Sequence, residues 1–228
     1  GVQTCALPIW GDYTHRELDS WDRTGAVHHL PAVPAGGWSR RMDEKTGTRV
    51  IAIANQKGGV GKTTTTVNLG AALAELGLRT LIIDLDPQGN ASTGLGLNPW
   101  SVETSMYDVL LREAPLEDCI EASSVRNLFV APANLELAGA EVELVPLFSR
   151  ELRLRRAIDP LREDYRFILI DCPPSLGLLT VNGLAAADEV LVPIQCEYYA
   201  LEGLSQLLRN VDLVKKNVNP VQIGRAHV

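Results

Sequence analysis

Histidine is missing from the long middle of this chain: its four copies, His15, His28, His29 and His227, all lie outside Met42–Gln222. No imidazole base is available in that stretch, so if it hydrolyses anything, a carboxylate would have to position the water. Cysteine is almost as scarce. Cys119, Cys172 and Cys196 are widely spaced and lack CxxC spacing, which excludes a disulfide framework and a zinc ribbon and suits reduced thiols in a cytoplasmic setting. Long apolar runs are absent too. The segment "LGLLTVNGLAAADEVLVPI" is interrupted by Asn182, Asp188 and Glu189, short of the roughly 18 residues a spanning helix needs. Nor is there an excess of positive charge: the net formal charge is -7, so the surface is not basic throughout, although a local patch could still meet nucleic acid. No internal repeat and no low-complexity block is present.

The two ends read as translated sequencing adapter. "IGRAHV" (Ile223–Val228) can be written ATC GGA AGA GCA CAC GTC, and the complementary strand, in a shifted frame, encodes "TCALPI", the string at Thr4–Ile9. Gly1–Ile9 and Ile223–Val228 are therefore expected to take no part in the fold. Trp10–Arg41 shows no sustained period and is expected to be upstream read-through or a disordered extension, which makes 1–41 a leader and Met42 the start. The expected domain is 42–222, about 180 residues and enough for one sizeable core. Adapter directly after Gln222 implies a C-terminal portion cut short.

Within that domain short apolar runs alternate with helical stretches. "VIAIAN", "TLIIDLD", "NLFVAPA", "FILIDCPP" and "EVLVPI" are continuous rather than alternating, as strands buried on both faces are. Helices are expected over Thr63–Leu76, closed by Gly77, and around Met106–Arg112, Leu135–Leu144, Arg150–Ile158, Leu176–Ala187 and Leu201–Lys216. The fold class is α/β, a mostly parallel sheet with helices on both faces. Ligands of such sheets sit beyond the carboxyl ends of the strands, here Asn55, Asp84–Asp86, Asp171 and Pro193.

"QKGGVGKTTTT" lies between a strand and a helix, the context a phosphate-binding P-loop requires. Gly58, Gly59, Val60 and Gly61 let successive N–H groups curl around phosphate oxygens, and the helix N-terminus that follows, at Thr63 and Thr64, adds positive potential. Lys62 reaches the β and γ phosphates; the Thr63 hydroxyl suits Mg²⁺. Gln56 stands where the strict pattern has glycine, and Lys57 is a second lysine that the strict pattern does not need. "FILIDCPPS" ends in Asp171, placed as a Walker B aspartate, and "LIIDLDPQGN" carries Asp84 and Asp86. Residues two apart on a strand point the same way, so both face the phosphates if the strand runs that far; helix capping or a turn is the competing reading of Asp84. Pro87 and Gly89 make the segment after Asp86 a candidate switch, and Asp86 the candidate for positioning water.

"ANQKGGVGKTTTTVNLGAALA", "LIIDLDPQGNAS", "ILIDCPPSLGLLTVNGLAAAD" and "VPIQCEYYALEGL" together resemble the ParA/Soj ATPases that segregate bacterial chromosomes and plasmids, over nearly all of Met42–Gln222. The resemblance implies a deviant Walker A P-loop NTPase that takes ATP and Mg²⁺ and forms a homodimer with ATP. It further implies nonspecific DNA binding by that dimer, stimulation by a ParB-type centromere-binding protein, and a cytoplasmic, nucleoid-associated place without membrane. Lys57 matches the lysine that crosses to the phosphates of the other subunit, a cation given in trans as an arginine finger is. Asp171 matches the Walker B aspartate and Asp86 the switch aspartate. The catalytic set is then Lys57, Lys62 and Asp86, and the metal set Thr63, Asp86 and Asp171. Lys57, Gly58, Gly59, Val60, Gly61, Lys62, Thr63, Thr64, Asp84 and Asp171 form the nucleotide set.

Other readings compete. A MinD-like membrane-associated positioning ATPase would share Lys57, Lys62 and Asp86, but "DLDPQGN" resembles the partition branch and no amphipathic C-terminal membrane helix is seen, a point that an absent C-terminal portion weakens. An iron–sulfur carrier would need cysteines bridging subunits, which Cys119, Cys172 and Cys196 do not match. In "SRELRLRRAIDPLREDYR" the arginines at 150, 153, 155, 156, 162 and 166 are interleaved with acids, which favours a salt-bridged face over a phosphate track. Tyr198 and Tyr199 are expected in the core, and Cys172 as a small buried filler.

Overall fold

The computed structural model describes residues 47–98, 102–195, 200–219 and 225–227. Their strands are β1 (Arg49–Ile53), β2 (Thr80–Asp84), β3 (Glu121–Ala122), β4 (Leu128–Ala131), β5 (Phe167–Asp171), β6 (Glu189–Leu191) and β7 (Arg225–His227). They form one sheet in the order β3-β4-β2-β5-β1-β6-β7. Every neighbouring pair is parallel except β3 with β4.

The continuous apolar runs find their reason in the two faces of this sheet. Val50, Ala52, Leu81, Ile83, Ile168 and Ile170 face one core, with Met106 and Leu110 of α3 (Met106–Arg112), Leu154 and Ile158 of α5 (Arg153–Ile158) and Leu184 of α6 (Leu178–Ala186). Leu207 and Val211 of α7 (Ala200–Asn217) join them. Ile51, Ile53, Ile82, Leu128, Val130, Phe167 and Leu169 face the other core, under Leu73 and Ala74 of α1 (Lys62–Glu75) and Ala91 of α2 (Asn90–Gly94). Both sets are removed from water, so alternation along a strand carries no polar member. Gly70 lets α1 lie close on the sheet: a Cβ there would stand 2.7 Å from Ile82 Cδ1. The remaining helix, α4 (Leu137–Glu143), adds Leu137 and Ala140 to the first core.

Helix ends follow the chemistry read from the sequence. Gly77 takes φ 83°, and Leu78 N–H reaches back to Leu73 O at 3.1 Å, closing α1. Ser105 and Asp108 form a reciprocal capping box on α3. At the amino ends of the strands two ion pairs fasten the sheet: Arg49 with Glu189 at 2.6 Å and Arg162 with Asp188 at 3.0 Å.

Several expectations need revision. The stretch Arg150–Ile158 is a 3₁₀ turn, Arg150–Leu152, followed by α5 rather than one helix. The helix α2 and the antiparallel pair made by β3 were not anticipated. Arg225–His227, expected to stay outside the fold, pairs with Glu189–Leu191 of β6. An unpaired strand edge offers N–H and C=O groups to any extended segment, whatever its side chains. Tyr198, Tyr199, Cys196 and the leader 1–41 lie outside the described residues.

Candidate functional site

The carboxyl ends of β1, β2 and β5 meet at one edge of the sheet. The glycine-rich loop leaves β1 and enters α1, with Gly59 at φ 72° and Gly61 at φ 91°, left-handed conformations that suit residues without a Cβ. At Gly58, Gly59 and Gly61 a Cβ would meet nothing within 4 Å, so no packed neighbour closes on the loop at these positions. Gly61 is the N-cap of α1; no side chain caps this end, and its first turn holds no acid. Amides of that turn therefore point at a place where an anion would satisfy them. Val60 completes the loop, and Thr64 is exposed on the first turn.

Lys62 is buried at the base of this loop and donates from Nζ to Lys57 O at 3.3 Å. Burial lowers its pKa, against the attraction of Asp171 and then Asp86. Both carboxylates thus act on this ammonium. Asp171 is fully buried at the end of β5. Its Oδ1 accepts from Thr66 Oγ1 at 3.2 Å, whereas Oδ2 is buried with no hydrogen-bond partner. Burial pushes its carboxyl up to about 6; the Thr63 and Thr66 hydroxyls and Lys62 oppose that rise, and Asp86 adds to it. A buried carboxylate oxygen left without a partner beside a threonine hydroxyl fits a hard divalent cation. Thr63, Asp171 and Asp86 are the residues that would hold one.

Asp86 is half-buried in a turn, its Oδ1 accepting Gln88 N–H at 3.0 Å and its carbonyl accepting Gly89 N–H at 2.8 Å. Asp84, expected in the nucleotide set, has its carboxylate engaged within the chain. The strand stops at Asp84, so the two-residue period that would aim it alongside Asp86 no longer applies. Its Oδ1 accepts Asp86 N–H at 3.1 Å, and its Oδ2 accepts Ser92 N–H at 2.9 Å and Ser92 Oγ–H at 2.7 Å. With both oxygens engaged and no exposed surface, Asp84 shapes the turn and the start of α2. It lies in register with Asp171 on the next strand.

Three further residues support the site: Asn55, placed by the sequence at a strand's carboxyl end without a role, and Gln195 and Glu141, which sequence reasoning missed. Asn55 donates from Nδ2 to Pro193 O at 2.8 Å and accepts Lys57 N–H at 3.0 Å. Gln195 accepts from Lys57 Nζ at 3.4 Å and donates to Gly59 O at 3.2 Å. The Glu141 carboxylate, on α4, accepts Leu178 N–H at 2.8 Å and so caps α6, which follows the Asp171 loop. Only the Asn55 position had a local signal, as a polar residue at the end of an apolar strand. Cys172 is buried, its Sγ 2.9 Å from where a Cβ on Gly183 would sit, as befits a filler.

A family model described as an AAA domain matches residues 48–223. The sporulation initiation inhibitor protein Soj of Bacillus subtilis is 60% identical over 171 residues, which are 75% of this chain and 68% of that protein. The chain belongs to the Soj/ParA family of partition ATPases. The chromosome partitioning protein ParA of Myxococcus xanthus is 57% identical over 172 residues, 75% of this chain and 61% of that protein. This member of the family therefore spans about two thirds of the length of such relatives. A crystal structure of cobyrinic acid a,c-diamide synthase from Mycobacterium smegmatis with bound ADP and magnesium is 45% identical with a TM-score of 0.75, covering 78% of this chain and 72% of that one. Names within this neighbourhood diverge while the sheet and loop are shared, so the chemistry has to be argued from the site.

Three arginines of the arginine-rich stretch form salt bridges. Arg150 pairs with Glu151 at 2.9 Å, Arg153 with Glu113 at 3.1 Å and Arg162 with Asp188 and Asp159. Among the described residues, no helix is long and apolar enough to cross a membrane.

Proposed function

We propose that this chain is a magnesium-dependent ATPase of chromosome or plasmid partition. In this reading two copies pair when ATP is bound, the pair holds DNA nonspecifically, and a ParB-type centromere-binding protein stimulates turnover. The observation that carries it is the convergence of Lys62, Thr63, Asp171 and Asp86 at the mouth of the glycine loop, with one Asp171 oxygen unpartnered.

Loop amides and the α1 N-terminus bind the phosphates, and Lys62 neutralises charge on the β and γ groups. Mg²⁺, held by Thr63, Asp171 and Asp86, directly or through water, supplies further charge neutralisation when bound. Asp86 orients water toward the γ phosphorus and receives its proton. A new P–O bond forms to water, the bridging bond to the γ phosphorus breaks, and ADP leaves with inorganic phosphate. Lys57 approaches the phosphates held by the other copy, which ties pairing to nucleotide state.

The test is sedimentation with and without ATP and Mg²⁺, in parallel for the unaltered chain and Lys57→Ala. The unaltered chain should pair with ATP; Lys57→Ala should bind ATP yet remain single. Normal pairing of Lys57→Ala would end the trans-lysine role. Co-sedimentation with plasmid DNA and anionic liposomes then separates the partners: ATP-dependent retention on DNA supports partition, and retention on liposomes alone overturns it.

A further inference from the structure

The loop that leaves β6 is bound to the loop that leaves β1, and most of that binding is made by two amide side chains. Asn55 holds the Pro193 carbonyl and the Lys57 amide. Gln195 uses both ends of its amide on the phosphate loop: Nε2 donates to Gly59 O at 3.2 Å and Oε1 accepts from Lys57 Nζ at 3.4 Å. Gln195 is 138 positions from Lys57 in sequence, so the contact is a product of the fold alone.

We propose that Gln195 is a positioning residue that retains the Lys57 ammonium over the loop of its own subunit, so that Lys57 engages a second copy only after leaving this amide. The proposal rests on the reading of Lys57 as a cation given to a partner. A neutral amide suits this task. It holds an ammonium through one modest hydrogen bond and yields when a polyanion is offered, whereas a carboxylate at the same place would form an ion pair and yield far less. The second contact, to Gly59 O, fixes the amide so that its oxygen rather than its nitrogen faces Lys57.

Two measurements on the full chain test this. The first is acylation of lysines by N-hydroxysuccinimidyl acetate without nucleotide, read by mass spectrometry with the exposed Lys215 and Lys216 as internal standards. Gln195→Ala should raise modification of Lys57 about two- to threefold, the scale of one weak hydrogen bond, and Gln195→Glu should lower it. The second is the ATP concentration needed for pairing, by sedimentation: lower for Gln195→Ala and higher for Gln195→Glu. Unchanged Lys57 labelling, or shifts of one sign in both variants, would overturn the proposal, since general damage to the loop moves both alike. An unaltered chain that stays single with ATP and Mg²⁺ while labelling responds as stated upholds the Gln195 contact and removes the pairing role of Lys57.

Discussion

Replacing Asp84 by asparagine separates its electrostatic cost from its hydrogen bonds. Burial pushes this carboxyl from 3.8 up to about 7, with the charge of Asp171 adding to the rise; Ser92 and the Asp86 N–H hold it down. The folded value lies above the unfolded one, so between pH 4 and pH 7 the native protein keeps a proton that the unfolded chain has lost. Raising the pH through that window draws the equilibrium toward the unfolded chain, and stability falls. About three pKa units at ~1.4 kcal/mol each set a ceiling of about 4 kcal/mol. The effective dielectric of a protein interior, higher than that of dry protein, reduces this to ~2 kcal/mol.

The assay is urea unfolding of the nucleotide-free, magnesium-free chain at pH 5, 6, 7 and 8. With a denaturant slope of ~2 kcal/mol per molar, the unaltered protein should lose about 1 M in midpoint more than Asp84→Asn does across that range. Asparagine also turns an N–H donor toward Ser92, which costs about 1–3 kcal/mol at every pH and displaces the curve without tilting it. Asp171 contributes in the same direction in both proteins, since burial raises it to about 6. The difference between slopes is thus the quantity to read, and parallel pH profiles would refute the buried, engaged Asp84.

Lys62→Ala should weaken ATP binding by about a hundredfold or more, because it removes a charge-assisted contact and leaves Asp171 without its attracting cation; calorimetry checks it. Asp86→Ala should weaken nucleotide binding far less than Lys62→Ala does and lower kcat about a hundredfold or more, measured by phosphate release. Gly177→Ala should destabilise by about 0.5–2 kcal/mol, since a Cβ there overlaps the Glu141 carboxylate and displaces the cap of α6. Thermal melts of Gly177→Ala, Glu141→Ala and the double variant should then be non-additive, and additive losses would deny the cap.

What the sequence made legible is what local chemistry dictates. The glycine loop, Lys62 and Thr63 sit in one motif whose backbone task fixes its residues, and Asp171 ends an apolar run that two covered faces explain. Asp84 was harder, because the two-residue period holds only while the strand continues. Here the Asp84 carboxylate itself takes the Asp86 N–H and ends the strand, a local competition with the ladder. Gln195 and Glu141 were illegible: their partners, Lys57 and Leu178, stand 138 and 37 positions away, and no spacing rule joins an acid on one helix to the start of another across such a gap. The β7 pairing has the same character, since it answers an open edge rather than a side-chain pattern.

Asp84 and Asp171 stand in register on adjacent strands, both buried and both pushed upward, yet their costs differ in kind. Asp171 keeps an unpartnered oxygen beside Thr63 and Lys62, so a divalent cation bound there offsets its burial and returns the free energy as ligand affinity. Asp84 has no oxygen to spare, and no ligand relieves it. Its cost is permanent and maintains the turn that presents Asp86. A site of this construction gives up stability for geometry. Asp84→Asn should therefore flatten the pH profile and lower turnover together, and a variant with the flatter profile and undiminished kcat would show that the turn does not need the charge.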